Sequence, residues 1–162
     1  MLRSIISFSF IVFCSIGSQL AYAAPDACVL LTIAELSAAV GQPVAGGNPS
    51  HAADGGGQCM YGYGTLNQIG VELWQFPSVA DAQKRFSAEL KDSQAHDKGS
   101  QKTTVESGVG DKAFSTTGVV GTMKAVTWVA VRGSRFLHIV TLGQNAVLHD
   151  RLRRLMLTAL AR

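Results

Sequence analysis

Cys28, Cys59 and the four histidines at 51, 96, 138 and 149 are the residues of this chain best suited to chemistry. Their spacing limits what that chemistry is. Cys28 and Cys59 lack the close C-x-x-C spacing of a zinc site, and only His51 lies near either of them. No two histidines have the i, i+4 spacing of a metal-binding helix, so no metal and no cofactor is expected. The third cysteine, Cys14, falls in an N-terminal segment read below as a cleaved leader. The remaining two allow a single pairing in an exported chain, which points to a Cys28–Cys59 disulfide and removes a thiol mechanism. His138 stands out because it interrupts an apolar strand. It reads either as a core or edge histidine with a satisfied hydrogen bond or as a catalytic one, and no catalytic partner is visible for it. Glu72 is read as facing Lys124 or solvent.

The remaining motifs favour structural readings. Gly55-Gly56-Gly57 has no lysine-serine or lysine-threonine pair after it and leads into a strand rather than a helix, unlike a phosphate-binding loop. Gly108-Val109-Gly110 has the first two glycines of a dinucleotide fingerprint, but Ala113 follows and no βαβ unit surrounds it, so a tight turn with Asp111 in a capping role is expected. There is no G-x-S-x-G elbow. Arg151, Arg153, Arg154 and Arg162 read as the solvated face of a final helix, with an acidic partner as the other reading. No catalytic residue is assigned on these grounds.

What positions these residues is a chain of 162 residues, 47% hydrophobic and 15% charged, with a formal net charge of +3. The length fits one domain, and the composition excludes intrinsic disorder. Fourteen basic residues against 11 acidic ones exclude a nucleic-acid binder of the strongly basic kind. Residues 1–23 read as a signal peptide: Arg3, an apolar run from Ile5 to Ile16, and the small residues of Ala21-Tyr22-Ala23 before the expected cut. Phe13 before Cys14 is too bulky for a lipidation signal. No later segment is apolar for long enough to span a bilayer. The expected product is residues 24–162, one exported domain, periplasmic or secreted, without a stable membrane anchor.

Thr32 and Glu35 have capping-box spacing, followed by Ile33, Leu36 and Val40 at helical spacing and closed by Gly41. Residues 46–57 lack periodicity and read as a loop. Residues 58–64 and 68–76 alternate as a hairpin, with Cys59, Tyr61 and Tyr63 on one side of the first strand and Ile69, Val71 and Leu73 on one face of the second. Ser78 and Asp81 open a second helix with a stripe of Val79, Ala82, Phe86 and Leu90. The polar run 92–104 reads as an exposed loop. A short strand at 112–116 precedes the clearest hairpin, 124–132 and 135–142, joined by Gly133-Ser134. Asn145 caps a last helix with Leu148, Leu152, Leu155, Met156 and Ala159 inward. The fold class is α+β: a single antiparallel sheet of about five strands with three helices, in the order α-β-β-α-β-β-β-α.

Three segments together resemble a known family: Cys28-Val29-Leu30-Leu31-Thr32-Ile33-Ala34-Glu35, then Cys59-Met60-Tyr61, then Gly108-Val109-Gly110-Asp111-Lys112-Ala113. The pattern is similar to that of small exported bacterial domains of unknown function, many of them lipoproteins, and it covers nearly the whole expected product. The resemblance implies the Cys28–Cys59 disulfide and a sheet-plus-helices fold. It brings no activity and no catalytic residues.

The two-residue turn sets Arg132 opposite Arg135, Val131 opposite Phe136 and Val129 opposite His138. The other face carries Val126, Trp128 and Ala130 against Leu137 and Ile139. Both faces are apolar, so either helices and loops cover both or one is left partly open as a binding surface. Trp128 is the candidate anchor of such a surface, with Tyr61, Tyr63 and Trp74 as neighbours. The function expected is a non-enzymatic module binding an envelope protein or a small ligand. The alternative is a small periplasmic enzyme with a site near His138, favoured if a cleft brings His138 within reach of a carboxylate.

Overall fold

The structure, a computed structural model, describes residues 25–52, 54–63, 67–143 and 149–162. The leader, Asn145 and Leu148 lie outside the described residues, as does the side chain of Tyr63. A 3-10 turn at Ala27–Val29 leads into helix α1 (Ile33–Val40), then strands β1 (Asn48–His51), β2 (Gly57–Tyr63) and β3 (Asn67–Gln75). Helix α2 (Val79–Ala95) follows, then β4 (Lys102–Glu106), β5 (Lys112–Val120), β6 (Met123–Arg132), β7 (Arg135–Gly143) and helix α3 (His149–Ala161). Among the described residues the fold is α+β with three α-helices on one antiparallel sheet. The sheet has seven strands rather than about five, in the order β1-β2-β3-β7-β6-β5-β4.

Local chemistry sets the helix starts. The Thr32 hydroxyl accepts from the Glu35 amide at 3.2 Å, and the Glu35 carboxylate accepts from the Thr32 amide at 2.8 Å, which completes the capping box. Ser78 accepts from the Asp81 amide at 3.1 Å in the same manner. The stripe on α2 is narrower than its spacing suggests. Ala82 and Phe86 are buried and Leu90 is half-buried, whereas Val79 in the first turn is exposed.

The two faces of the sheet are closed differently. On one, α1 and α3 cover Cys59, Tyr61, Val71, Trp128, Leu137 and Ile139 with Leu36, Val40, Leu152, Leu155 and Met156. The disulfide between Cys28 and Cys59 pins the 3-10 turn to β2 on this side. On the other, α2 is the one helix among the described residues that packs down, and its apolar stripe reaches only one end. There Ala82 and Phe86 meet Trp74, Phe114, Val129, Val131 and Phe136. The expected register is present: Arg132 pairs with Arg135, Val131 with Phe136 and Val129 with His138.

Two corrections concern the edges. Residues 48–51, expected within a loop, form the edge strand β1; of the expected loop 92–104, residues 92–95 end α2 and residues 102–104 begin the other edge strand, β4. The predicted strand at 112–116 extends to Val120, paired along its whole length with β6.

The Gly108-Val109-Gly110-Asp111 segment is a turn, as expected, and its parts have separate duties. Gly108 and Gly110 have φ of 71° and 58°. Val109 is buried, the Asp111 amide donates to the Val131 carbonyl at 2.7 Å, and the Asp111 carboxylate accepts from the Gly133 amide at 2.7 Å. A Cβ on Gly110 would run into the Val131 carbonyl. Gly110→Ala therefore combines left-handed backbone strain with a backbone clash, and a loss of more than about 2 kcal/mol is expected in denaturant unfolding. A loss below about 0.5 kcal/mol would contradict this role.

The Thr32 amide, and next the Arg162 guanidinium, hold the Glu35 carboxyl at about 2, against an ordinary 4.5. A depressed folded-state value means the stabilisation is complete above about 4.5 and is lost as pH falls toward 2. Glu35→Gln should flatten the stability curve within that window, read by denaturant unfolding at stepped pH. An acid limb as steep as that of the native protein would contradict the assignment.

Candidate functional site

Trp128, the expected surface anchor, is fully buried under α3, and Tyr61 and Trp74 are 3% and 6% exposed. This corrects the expectation. Trp128 and Tyr61 point to the face closed by two helices, and Trp74 lies in the cluster beneath α2. Trp74 also donates its indole N–H to Asp54 at 2.7 Å, with the Arg85 guanidinium 5.6 Å above its ring. The glycine run beside it serves this packing, because a Cβ on Gly56 would strike the indole.

The open surface lies on the His138 side, beside α2 and running beneath its last turns. The ladder places Ser50 opposite Gln58, Gln58 opposite Glu72, and Glu72 opposite His138, all on one face. Their side chains form a continuous row. Ser50 donates to the Gln58 carbonyl at 3.3 Å, Gln58 donates to Glu72 Oε1 at 3.0 Å, and His138 Nδ1 lies 2.9 Å from Glu72 Oε2. Glu72 thus faces Gln58 and His138 rather than Lys124 or solvent. On the far side of β7 the row steps to Thr127, which pairs with Thr116, and Thr116 with Thr103. The hydroxyls of Thr103 and Thr116 are 3.3 Å apart. A polar stripe therefore crosses all seven strands.

Beneath the last turns of α2 the stripe enters a cleft of about 260 Å³ whose lining includes Glu89, Ser93, Thr116, Thr127 and His138. The Glu72 and His138 side chains are each 20% exposed, so both are accessible but partly desolvated. A Glu72 carboxylate at Nδ1 selects the Nδ1–H tautomer and leaves Nε2 as an acceptor. Nε2 and the Thr127 hydroxyl have no hydrogen-bond partner among the described residues. Sequence alternation placed His138 and Glu72 on strands, but the long-range pairing of β3 with β7 is what joins them.

A second polar cluster forms at the start of α3 and resembles a catalytic triad only superficially. His149 Nε2 lies 3.1 Å from Ser115 Oγ and 3.1 Å from Glu106, with Asp150 3.4 Å from Nδ1. Ser115 is 2% exposed and donates its hydroxyl to Glu106 at 2.6 Å, so no substrate reaches it as a nucleophile. Arginines of α3, with Arg162 just past its end, tie the helix down. Arg151 donates to the Ala39 carbonyl, Arg153 to that of Ser107, and Arg162 to that of Leu30 while pairing with Glu35. Among the described residues no cluster of three or more His, Cys, Asp or Glu side chains is arranged to hold a metal ion, and no helix is long and apolar enough to cross a membrane.

No protein-family model matches the chain, and no curated protein sequence is significantly similar to it. The arrangement of helices and strands is similar to that of a solved structure, the extracellular domain of PknH from Mycobacterium tuberculosis. The match has a TM-score of 0.57 and 11% sequence identity, and it covers 82% of this chain and 92% of that one. The likeness is one of fold.

Proposed function

We propose that this protein is an exported binding domain that takes a small ligand on the open half of the α2 side, at the stripe of Gln58, Glu72, His138 and Thr127. The observation that carries the reading is the stripe itself. A fold that closes one face with two helices leaves on the other a hydrogen-bonded polar row with unused valences running into a cleft. Export is supported by the leader-like residues 1–23, by the disulfide, and by the extracellular setting of the structural neighbour. The motif resemblance to small exported domains points the same way.

The His138–Glu72 pair favours a second reading, an enzyme using an oriented imidazole as general base. It has the base and its orienting carboxylate. Among the described residues it has no serine or cysteine within hydrogen-bond distance of Nε2. Binding therefore accounts for more of the site.

Titrating the ¹⁵N-labelled exported protein with the low-molecular-mass fraction of a bacterial envelope extract tests the proposal. Chemical-shift changes should cluster on Gln58, Glu72, Thr127 and His138. Changes confined to the α1–α3 side, or no changes, would contradict it.

A further inference from the structure

The chemistry of the stripe also narrows the ligand class. We infer that it seats an extended, neutral, hydroxyl-rich chain, that is, a glycan, an inference that rests on the binding reading above. Ser50, Gln58, Thr127 and Thr116 each carry a hydroxyl or amide group that both donates and accepts hydrogen bonds, matching hydroxyls that do the same. The carboxylates at the stripe are each partnered within the protein. Glu72 is bonded on both oxygens by Gln58 and His138, Glu89 at the cleft lies 3.4 Å from the Arg85 guanidinium, and Asp97 accepts from the Thr103 hydroxyl at 2.6 Å. The stripe contains no lysine or arginine. It therefore offers no counter-charge to a polyanion, and its anions are already compensated within the protein against a polycation.

Shape agrees with the chemistry. From Ser50 on β1 to Thr116 on β5 the stripe crosses five strand-to-strand steps, about 24 Å at the usual spacing. A short oligosaccharide, still a ligand of low molecular mass, fills that length. On its open side the stripe is bordered by Met60, Val140 and Ala125, half-buried aliphatic groups suited to the C–H faces of sugar rings. Gly70 and Gly118 lie in the same border, and the Val140 and Met60 side chains close over Gly70. At the other end the cleft under α2 closes over Thr116, Thr127 and His138, which gives the chain a terminus to enter.

The test is a titration of the ¹⁵N-labelled exported protein with tetra-N-acetylglucosamine and cellotetraose, with dextran sulfate and tetralysine as charged comparisons. At least one neutral saccharide should shift Gln58, Glu72, Thr127 and His138, and the charged polymers should not. Gln58→Ala and Thr127→Val should each weaken that binding at least fivefold while leaving the melting temperature near native. Unmoved stripe resonances with both saccharides at millimolar concentration overturn the glycan assignment, as does equal binding of the charged polymers to the same residues. If the envelope extract still shifts the stripe while the saccharides do not, the binding reading stands and only the glycan falls. If neither shifts it, both fall.

Discussion

Trp128→Ala is expected to destabilise the protein by about 3–5 kcal/mol, the range for removing a large aromatic side chain from a closed core. Trp128 is 0% exposed and sits on β6 beneath α3, its ring centroid 4.9 Å from that of His149. Its neighbours Ser115 and Ile139 on the flanking strands are fixed by the ladder and cannot collapse into the vacated space. The indole N–H has no hydrogen-bond partner among the described residues. Trp128→Phe removes that unpaired donor while keeping most of the volume, so it should cost less than about 1.5 kcal/mol. Denaturant unfolding of both variants checks the pair. An Ala variant within about 1 kcal/mol of native would contradict the burial of this residue.

Loss of the Cys28–Cys59 disulfide is the second large effect. The bridge spans a sequence separation of 31 residues, and that loop encloses α1 and the edge strand β1. In the chain-entropy account, releasing a loop of this length costs roughly 3–4 kcal/mol. For a domain of this size that lowers the melting temperature by roughly 10 °C. Cys59 is fully buried in β2, so the cleaner variant is the Cys28→Ala, Cys59→Ala pair, which avoids leaving a buried hydroxyl. Calorimetry with and without reductant, beside the double variant, measures the effect. A melting temperature unchanged by reduction would contradict it.

The elements with a buried face were legible from residue order. The Cys59–Tyr61 and Ile69–Leu73 alternations, the Gly133-Ser134 hairpin and the Thr32–Glu35 capping box all appear where their spacing places them. The strands that were not legible are the two edges. β1 is Asn-Pro-Ser-His and wholly exposed, and Pro49 is tolerated there because an edge strand has ladder positions that need no N–H. In β4, Lys102, Thr104 and Val105 are exposed, and the strand is held by pairing with β5 rather than by a hydrophobic face of its own. Periodicity reports burial, and neither edge has enough to report.

The site shows the same division. Hairpin register correctly placed Trp128 and His138 on opposite faces of the sheet. Which face stays open depends on where the helices dock, and no local pattern encodes that. α1 and α3 both settle on the Trp128 face, leaving α2 to cover one end of the other. The expectation of Trp128 as a surface anchor rests on an aromatic residue in an apolar strand, whereas its size makes it the centre of the larger core. The Glu72–His138 contact joins residues 66 positions apart, and it follows only from β3 lying beside β7 in the sheet order.

The central claim is that the ligand face is the polar stripe on the α2 side. Thr127→Arg tests it most directly, because it places a long cation in the mouth of the cleft without touching the α1–α3 core. The ¹⁵N spectra of the variant and the native protein should be compared with and without the envelope extract. Thr127 is half-buried at the cleft mouth, and the account predicts a variant within about 1 kcal/mol of native stability, with the ligand-induced shifts at Gln58, Glu72 and His138 abolished. A folded variant that shows those shifts at native strength, or one that fails to fold, would contradict it.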